Sequence, residues 1–196
     1  AEDGIRAAQE SRGLGDVYKR QHGVLDAAAA ALVGRAAGLS FEEIARGLAK
    51  YAPIGGRGNV YQVGGVTIID ESYNANPLSV RASLEHFGRV KTKGGSVVVF
   101  ADMLELGEFA ELHHREIAAR IMESGADTLF TFGELARITG EECRKLGLER
   151  TRHFSSLEDL ASGLSAELKR GDVARVLVKG SRAMKLDEIV RSVLRR

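Results

Sequence analysis

The stretch IIDESYNANP, residues 68–77, passes from apolar residues through a cluster of Asp, Glu, Ser, Tyr and Asn to a proline. Proline is favoured at the first position of a helix, and asparagine is a favoured N-cap. The stretch therefore predicts a strand that ends near Asp70, a polar loop, and a helix that begins at Pro77 with Asn76 as its N-cap. A strand that leads closely into a helix is the repeating unit of an α/β fold.

The chain downstream of this stretch alternates between strand-like and helix-like segments. We predict strands at 64–70, 95–102, 127–133, 152–155 and 174–180. We predict helices at 77–88, 109–124, 134–147, 156–171 and 183–195. The run GSVVVFAD, 95–102, is apolar at successive positions, as expected for a parallel strand that is buried on both faces. The sequence thus predicts a three-layer α/β fold, which is Rossmann-like and contains a mostly parallel sheet.

The part of the chain before residue 59 does not follow this alternation. Residues 24–37 are rich in alanine and predict a helix. The motif SFEE predicts a capping box between Ser40 and Glu43 at the start of a second helix. The stretch YAPIGGRG, 51–58, is rich in glycine and indicates a linker. We therefore predict a helical remnant over 22–50, followed by the linker 51–58 and a domain over 59–196.

Residues 1–21 end in SRGLGDVYKRQ and show no clean hydrophobic period, so we predict that they are irregular. The stretch resembles adapter-derived sequence in translated environmental assemblies, and we hypothesise that it is not part of the natural protein. The chain does not begin with methionine, and we therefore expect it to be a fragment.

The composition is that of a soluble globular protein, with 44% hydrophobic and 28% charged residues and a formal net charge of +1. A net charge this small gives no field that would attract nucleic acid or a membrane surface, so we expect neither partner. The lone cysteine, Cys143, excludes an intramolecular disulfide and fits a cytoplasmic location. We expect a monomer.

Polar residues are concentrated where three of the predicted strands end. DESYNANP begins at 70, DMLELG begins at 102 and KGSR begins at 179. In an open α/β sheet, ligands bind beyond the carboxyl ends of the strands, so we expect these three segments to form one site. Neither a G-x-x-x-x-G-K-[ST] motif nor a G-x-G-x-x-G motif after a strand occurs, which excludes a standard phosphate loop in this chain. His113 and His114 are adjacent and cannot chelate a metal as an i, i+4 pair, so we predict no metal site here.

These segments together resemble a known family. The motif GRG at 56–58, IIDESYNANP at 68–77, ADMLELGEFAELHHREIA at 101–118 and VLVKGSRAMKLDEIV at 176–190 look like the C-terminal domain of Mur ligases, in the same order and spacing. HGVLDAAAAALVG, which begins at residue 22, is similar to a segment near the end of the family's central ATPase domain. The resemblance covers roughly residues 22–196. SYNANP and KGSR favour the member that adds D-Ala-D-Ala over its sister ligases, whose equivalent loop resembles DYAHTP.

The resemblance implies an ATP-dependent amide ligase of peptidoglycan precursor synthesis. ATP would phosphorylate the carboxylate of UDP-N-acetylmuramoyl-tripeptide, and the amine of D-Ala-D-Ala would attack the acyl phosphate with release of ADP and phosphate. Mg²⁺ would neutralise charge on the phosphates and would be bound mainly by the central domain. Because the phosphate loop belongs to that central domain, we expect this chain to be inactive alone.

The resemblance also implies an ATP-binding set: Arg57, Asp70, Glu71, Tyr73 and Asn74. The arginine would contact the ATP phosphates, one of the two carboxylates would bind the ribose hydroxyls, and the last two residues would face the adenine. The alternatives are a solvated loop arginine, a carboxylate that complements a helix N-terminus, and a tyrosine that covers the sheet end. The family usually reads DDSYNANP, so the glutamate is longer than the residue expected there.

For the amino substrate, the resemblance implies three residues that hold the D-Ala-D-Ala carboxylate: Lys179, Ser181 and Arg182. The alternative is a basic helix start, which the helix dipole disfavours. Asp102, Glu105 and His114 would lie near the incoming ammonium group, and a catalytic role for Asp102 or His114 would be to orient or deprotonate it. The alternatives are a turn at a strand end and a packed helix histidine.

The chain departs from the family pattern at several positions. Members carry two asparagines that contact adenine in the central-domain segment, where this chain has Gly23 and Asp26, which lack the amide side chain. Ala101 stands where the family has glycine. The alternative functions are a sister ligase that adds another amino acid and a noncatalytic Rossmann-like binding module.

Overall fold

The computed structural model describes residues 26–51, 55–90 and 92–195. The predictions for residues 1–21 and for Gly23 lie outside the described residues. Within the described ranges the strands are β1 Asn59–Val63, β2 Val66–Glu71, β3 Gly95–Ala101, β4 Thr128–Phe132, β5 Thr151–Phe154 and β6 Val173–Lys179. The α-helices there are α1 (26–36), α2 Phe41–Ala49, α3 Pro77–Arg89, α4 Ala110–Glu123, α5 Glu134–Lys145, α6 Leu157–Lys169 and α7 Asp187–Leu194. Two 3₁₀ turns, Gly107–Phe109 and Arg182–Met184, precede α4 and α7.

The strands form one six-stranded sheet in the order β1-β2-β6-β3-β4-β5. All neighbouring pairs are parallel except β1 and β2, which are antiparallel. The predicted mostly parallel α/β sheet is therefore confirmed. The placement of β6 between β2 and β3 brings the ends of three distant segments of the sequence side by side.

The edge strand β1 is absent from the sequence-based prediction. Its sequence, NVYQV, lacks the strong apolar run that marks the other strands, and all five residues are half-buried in the fold. It is joined to β2 by Gly64 and Gly65, both with positive φ, as a tight hairpin turn requires. The Gly-Gly pair between two short β-prone runs is the signal that could have predicted this hairpin.

Helices cover both faces of the sheet. On one face, Ile69, Val98 and Leu177 pack in a core with buried residues of α3, α4 and α5. On the other face, Ile68 and Val99 pack in a second core with buried residues of α6 and α7. Alternate residues of each strand point to opposite faces, so two adjacent cores follow from one run of apolar residues. The predicted three layers are confirmed.

The predicted caps are confirmed, and one predicted helix start is wrong. Asn76 caps α3, which begins at Pro77, and its side chain accepts a hydrogen bond from the Ser79 amide at 2.8 Å. Ser40 and Glu43 form the predicted capping box of α2. The last helix begins at Asp187 instead of residue 183, because Lys185 adopts a left-handed conformation with φ of 54° that separates the 3₁₀ turn from α7.

The described helices include none with the length and apolar character that crossing a membrane would require. The division of the chain at 22–50, 51–58 and 59–196 stays a prediction.

Candidate functional site at the strand ends

Three loops meet at the carboxyl end of the sheet. They follow β2 (72–76), β3 (102–106) and β6 (180–186), and we call this region the rim. Lys179, the last residue of β6, donates a hydrogen bond from Nζ to the carbonyl of Asn74 at 2.8 Å. The same ammonium lies 3.5 Å from the carboxylate of Glu71. The β6 strand is thus bound to the loop of its neighbour β2.

Ser181 joins the β6 loop to both neighbouring loops. Its amide donates to the carbonyl of Asp102 at 3.0 Å, and its hydroxyl oxygen accepts a hydrogen bond from the Leu104 amide at 2.9 Å. The hydroxyl also donates to the carbonyl of Ala75 at 3.4 Å. One buried serine therefore fixes the relative positions of the three rim loops.

The side chain of Asp102 caps a helix of the next unit. Its Oδ1 accepts a hydrogen bond from the Ala136 amide, in the first turn of α5, at 2.7 Å. The N-cap residue of α5 is Gly133, which has no side chain to cap the helix itself. A carboxylate at a helix N-terminus is favoured by the dipole, so Asp102 joins the loops after β3 and β4.

His114, a residue of α4, stabilises the loop after β3. Its Nε2 accepts a hydrogen bond from the Met103 amide at 3.0 Å, so Nδ1 carries the proton and donates to the carbonyl of Ala110 at 2.7 Å. The side chain is fully buried, and this burial lowers the pKa of His114 below its ordinary value. Glu105, in the same loop, is exposed and has a φ of 64°.

Asp70 and Glu71 occupy different environments although they are adjacent. Asp70 is buried, and its Oδ1 accepts hydrogen bonds from the Ser72 amide at 3.0 Å and from the Ser72 hydroxyl at 2.6 Å. Burial raises the pKa of Glu71, although the charge of Lys179 opposes the rise. Burial also lowers the pKa of Lys179, and Glu71 opposes that change. The two charges are therefore held out of water and partly neutralise each other.

Tyr73 lies between two arginines from distant parts of the sequence. The guanidinium carbon of Arg57 lies 4.0 Å from the centre of the Tyr73 ring, and that of Arg182 lies 5.7 Å from it. Both arginines are exposed, and Arg182 also lies 3.7 Å from the carboxylate of Asp187. The rim thus presents two cations around an aromatic ring, a combination that can bind phosphate or carboxylate groups and planar rings.

The linker approaches the rim closely at Gly56. The Tyr73 amide donates to the Gly56 carbonyl at 3.0 Å, and Gly56 has a φ of +80°. A Cβ at this position would lie 2.8 Å from the Tyr73 nitrogen, so only glycine fits. This contact is what places Arg57 over the Tyr73 ring.

A cleft of about 240 Å³ opens beside these residues. Its walls include Gly56, Tyr61, Asp70, Arg182 and Asp187. Burial raises the pKa of Tyr61, and the charge of Asp70 adds to the rise. Asp70 near the end of β2 and Arg182 in the loop after β6 therefore line the same cleft.

Comparison with known proteins identifies this arrangement. The sequence profile described as "Mur ligase, glutamate ligase domain" matches residues 56–182. The chain belongs to the Mur ligase family. It is 33% identical over 176 residues to the UDP-N-acetylmuramoyl-tripeptide–D-alanyl-D-alanine ligase of Bacillus subtilis, covering 89% of this chain and 38% of that protein. The chain thus spans about two fifths of the length of the curated relatives that it matches.

Solved Mur ligase structures share the fold. A crystal structure of MurF from Acinetobacter baumannii superposes with a TM-score of 0.81 at 26% identity, covering 90% of this chain and 38% of that one. MurF from Thermotoga maritima in complex with ADP superposes with a TM-score of 0.67 at 26% identity, covering 84% of this chain and 36% of that one. The resemblance inferred from the motifs is confirmed.

The predicted site residues lie in the rim loops or beside them, but they differ in exposure. Arg57, Asn74 and Arg182 are exposed there. Asp70, Asp102, His114, Lys179 and Ser181 are buried and hydrogen-bonded to protein atoms. The roles inferred from the resemblance stay predictions. The sequence analysis names Gly56 only as part of the GRG motif and does not single out Gly133, because their positive φ angles and close contacts can be read only from coordinates.

The described residues of the Mur ligase domain contain no group of three or more His, Cys, Asp or Glu side chains that could hold a metal ion. The rim does fit a nucleotide, because it combines exposed guanidinium groups, an aromatic ring and a buried carboxylate beside a cleft. The sequence-based expectation of ATP at this site is therefore compatible with the residues present.

Proposed function

We propose that the protein is an ATP-dependent ligase of peptidoglycan precursor synthesis that joins D-Ala-D-Ala to UDP-N-acetylmuramoyl-tripeptide. The single observation that carries the proposal is the rim, where Arg57, Tyr73 and Arg182 stack beside the cleft. The names of the relatives support the choice of substrates, since the ligases of Bacillus subtilis and Treponema pallidum are both named for this reaction.

In this proposal the chain supplies the nucleotide- and amine-facing side of the site. Arg57 neutralises the phosphates of ATP, and Tyr73 and Asn74 face the adenine. Asp70 or Glu71 accepts hydrogen bonds from the ribose hydroxyls. ATP, when bound, supplies the phosphoryl group that activates the tripeptide carboxylate. The residues of this chain hold the nucleotide in place and exclude water around it.

Arg182 binds the carboxylate of D-Ala-D-Ala, for which its planar, bidentate guanidinium is well suited. Asp102, the first residue of the loop after β3, and His114, which accepts a hydrogen bond from that loop, set the position of the loop that faces the incoming amine. We assign no proton transfer to His114, because both of its ring nitrogens bond to backbone groups. Mg²⁺, when bound, would neutralise charge on the phosphates, and its ligands would come mainly from the central domain.

The test uses the full-length protein that contains this chain. With ATP and UDP-N-acetylmuramoyl-tripeptide, we expect phosphate release that depends on D-Ala-D-Ala and not on diamino acids. Dependence on a diamino acid would indicate a sister ligase, and absence of turnover with every amine would indicate a noncatalytic module. Either result would overturn the proposal.

Two further assays limit the role of this chain. The 196-residue chain alone should release no phosphate above background, because it lacks a phosphate loop. Arg182→Ala in the full-length protein should raise the KM for D-Ala-D-Ala about tenfold or more, since a charged hydrogen-bond partner is lost. We further propose that the protein acts in the cytoplasm and is a monomer. Size-exclusion chromatography with light scattering would check the oligomeric state.

A further inference from the structure

Lys179 is a buried cation whose hydrogen bond is made within the protein. Its side chain is 3% exposed, and its Nζ donates to the Asn74 carbonyl at 2.8 Å beside the Glu71 carboxylate. A buried ammonium is retained only where hydrogen bonds and an opposite charge compensate its lost hydration. Here both compensating groups belong to the β2 end and the loop that follows it.

Ser181 has the same character. It is 4% exposed, and its hydroxyl bonds to Leu104 on one side and to Ala75 on the other. Arg182, the next residue, is different, because its side chain is 60% exposed and stands against the Tyr73 ring. The KGSR segment therefore contains two residues that point into the protein and one that points outward.

We propose that Lys179 and Ser181 are positioning residues that fix the loop 72–76, and with it Tyr73 and Asn74, at the rim. Arg182 is then the residue of KGSR that contacts the ligand. This assignment replaces the direct contacts with the dipeptide carboxylate that the family resemblance implies for Lys179 and Ser181. It rests on the proposed function only for the identity of the ligands.

The first test needs no ligand. A positioning residue acts in the free protein, so its loss should loosen the loop before anything binds. In hydrogen exchange of the 196-residue chain, Lys179→Met should speed exchange at the amide of Tyr73, which bonds to Gly56, by about fivefold or more. Amides of the central strand β3 should keep the exchange rates of the wild-type chain.

Glu71→Gln is the matched control. It removes the charge beside Lys179 but leaves the hydrogen bond from Lys179 to the Asn74 carbonyl, so the loop should keep most of its protection. Wild-type exchange at the loop in Lys179→Met would overturn the proposal. If that variant does not fold, Ser181→Ala decides, with faster exchange expected at the Tyr73 amide because the Ser181 hydroxyl donates to the Ala75 carbonyl of the same loop. Unchanged exchange there would overturn the proposal as well.

The second test measures ligands in the full-length protein by calorimetry. Loss of a positioning residue should weaken ADP and D-Ala-D-Ala together, whereas Arg182→Ala should weaken mainly the dipeptide. Ser181→Thr, which keeps the hydroxyl, should restore much of the ADP affinity lost in Ser181→Ala. A variant of Lys179 that weakens the dipeptide alone would support direct contact and refute positioning. If the wild-type protein binds neither ligand, the proposed function fails while the exchange result still stands.

Discussion

Replacing Gly133 with alanine should be among the most damaging single changes in the domain. Gly133 has φ and ψ of 107° and 161°, a region that is essentially restricted to glycine. A Cβ there would lie 2.4 Å from Oδ1 of Asp102, which is far inside van der Waals contact. The alanine variant therefore has to change the backbone conformation, displace the Asp102 carboxylate, or do both.

The expected cost follows from these two effects. Backbone strain in this region costs about 1–3 kcal/mol. Displacing Asp102 breaks its 2.7 Å hydrogen bond to the Ala136 amide, and a bond to a charged acceptor contributes about 1.5–3 kcal/mol. We expect Gly133→Ala to lower the free energy of unfolding by about 2.5–6 kcal/mol, a large part of the stability of a typical domain. Urea denaturation followed by far-UV circular dichroism measures this directly.

Two other glycines provide controls. Gly125 has a φ of +70° but open space around its Cβ position, so Gly125→Ala should cost only the left-handed strain of about 1–2 kcal/mol. Gly47 lies within α2 with open space, and Gly47→Ala should stabilise the protein by up to about 1 kcal/mol. The reasoning is refuted if Gly133→Ala costs no more than Gly125→Ala. It is also refuted if prior removal of the carboxylate by Asp102→Ala does not reduce the cost of Gly133→Ala.

Other residues give further tests. Because burial raises the pKa of the Cys143 thiol to about 12, a thiol reagent should label native protein at neutral pH far more slowly than urea-unfolded protein. The pKa of His114 is lowered in the folded state, so folding favours the neutral imidazole and the protein loses stability as pH falls below the unfolded pKa of 6.5. The stability advantage of wild type over His114→Gln in urea titrations should therefore shrink below that pH. The buried Arg175 donates to the last carbonyls around α3, so Arg175→Met should cost about 1.5–3 kcal/mol in the same assay, and a neutral result would contradict this. A Cβ on Gly180 would lie 2.8 Å from that of Ala101, so Gly180→Ala should lower the melting temperature even without ligand, and an unchanged melting temperature would count against this packing role.

The sequence predicts the layers of the fold well because their signals are local. The apolar run before Asp102 and the Asn76–Pro77 boundary each fix an element through neighbouring residues alone. The edge strand at Asn59–Val63 is missed because its residues are only half-buried, and the early start predicted for the last helix fails because Lys185 adopts a left-handed conformation. Neither feature leaves a strong hydrophobic period in the sequence.

The candidate site is predictable in position but not in the direction of its side chains. The motifs place Lys179, Ser181 and Arg182 at one strand end, yet the first two point inward and the third points outward. That difference depends on which loop passes over the end of β6, and it follows from the strand order β2-β6-β3. Strand order arises from packing between distant segments, so it cannot be predicted from the residue spacing within the motif.

The electrostatics of the rim indicate that Lys179 and Glu71 contribute more to its geometry than to stability. Burial raises the pKa of Glu71, so its contribution to stability is present below its unfolded value and is lost as pH rises through the folded value. Burial lowers the pKa of Lys179, so its contribution is present above its unfolded value and is lost as pH falls through the folded value. At neutral pH both groups are on their unfavourable side, so we expect replacement by an apolar pair of similar volume to cost little stability. An apolar pair, however, could not form the hydrogen bond that Lys179 donates to the Asn74 carbonyl. Because a hydrogen bond is directional, this one sets where the loop carrying Tyr73 lies relative to Arg57 and Arg182.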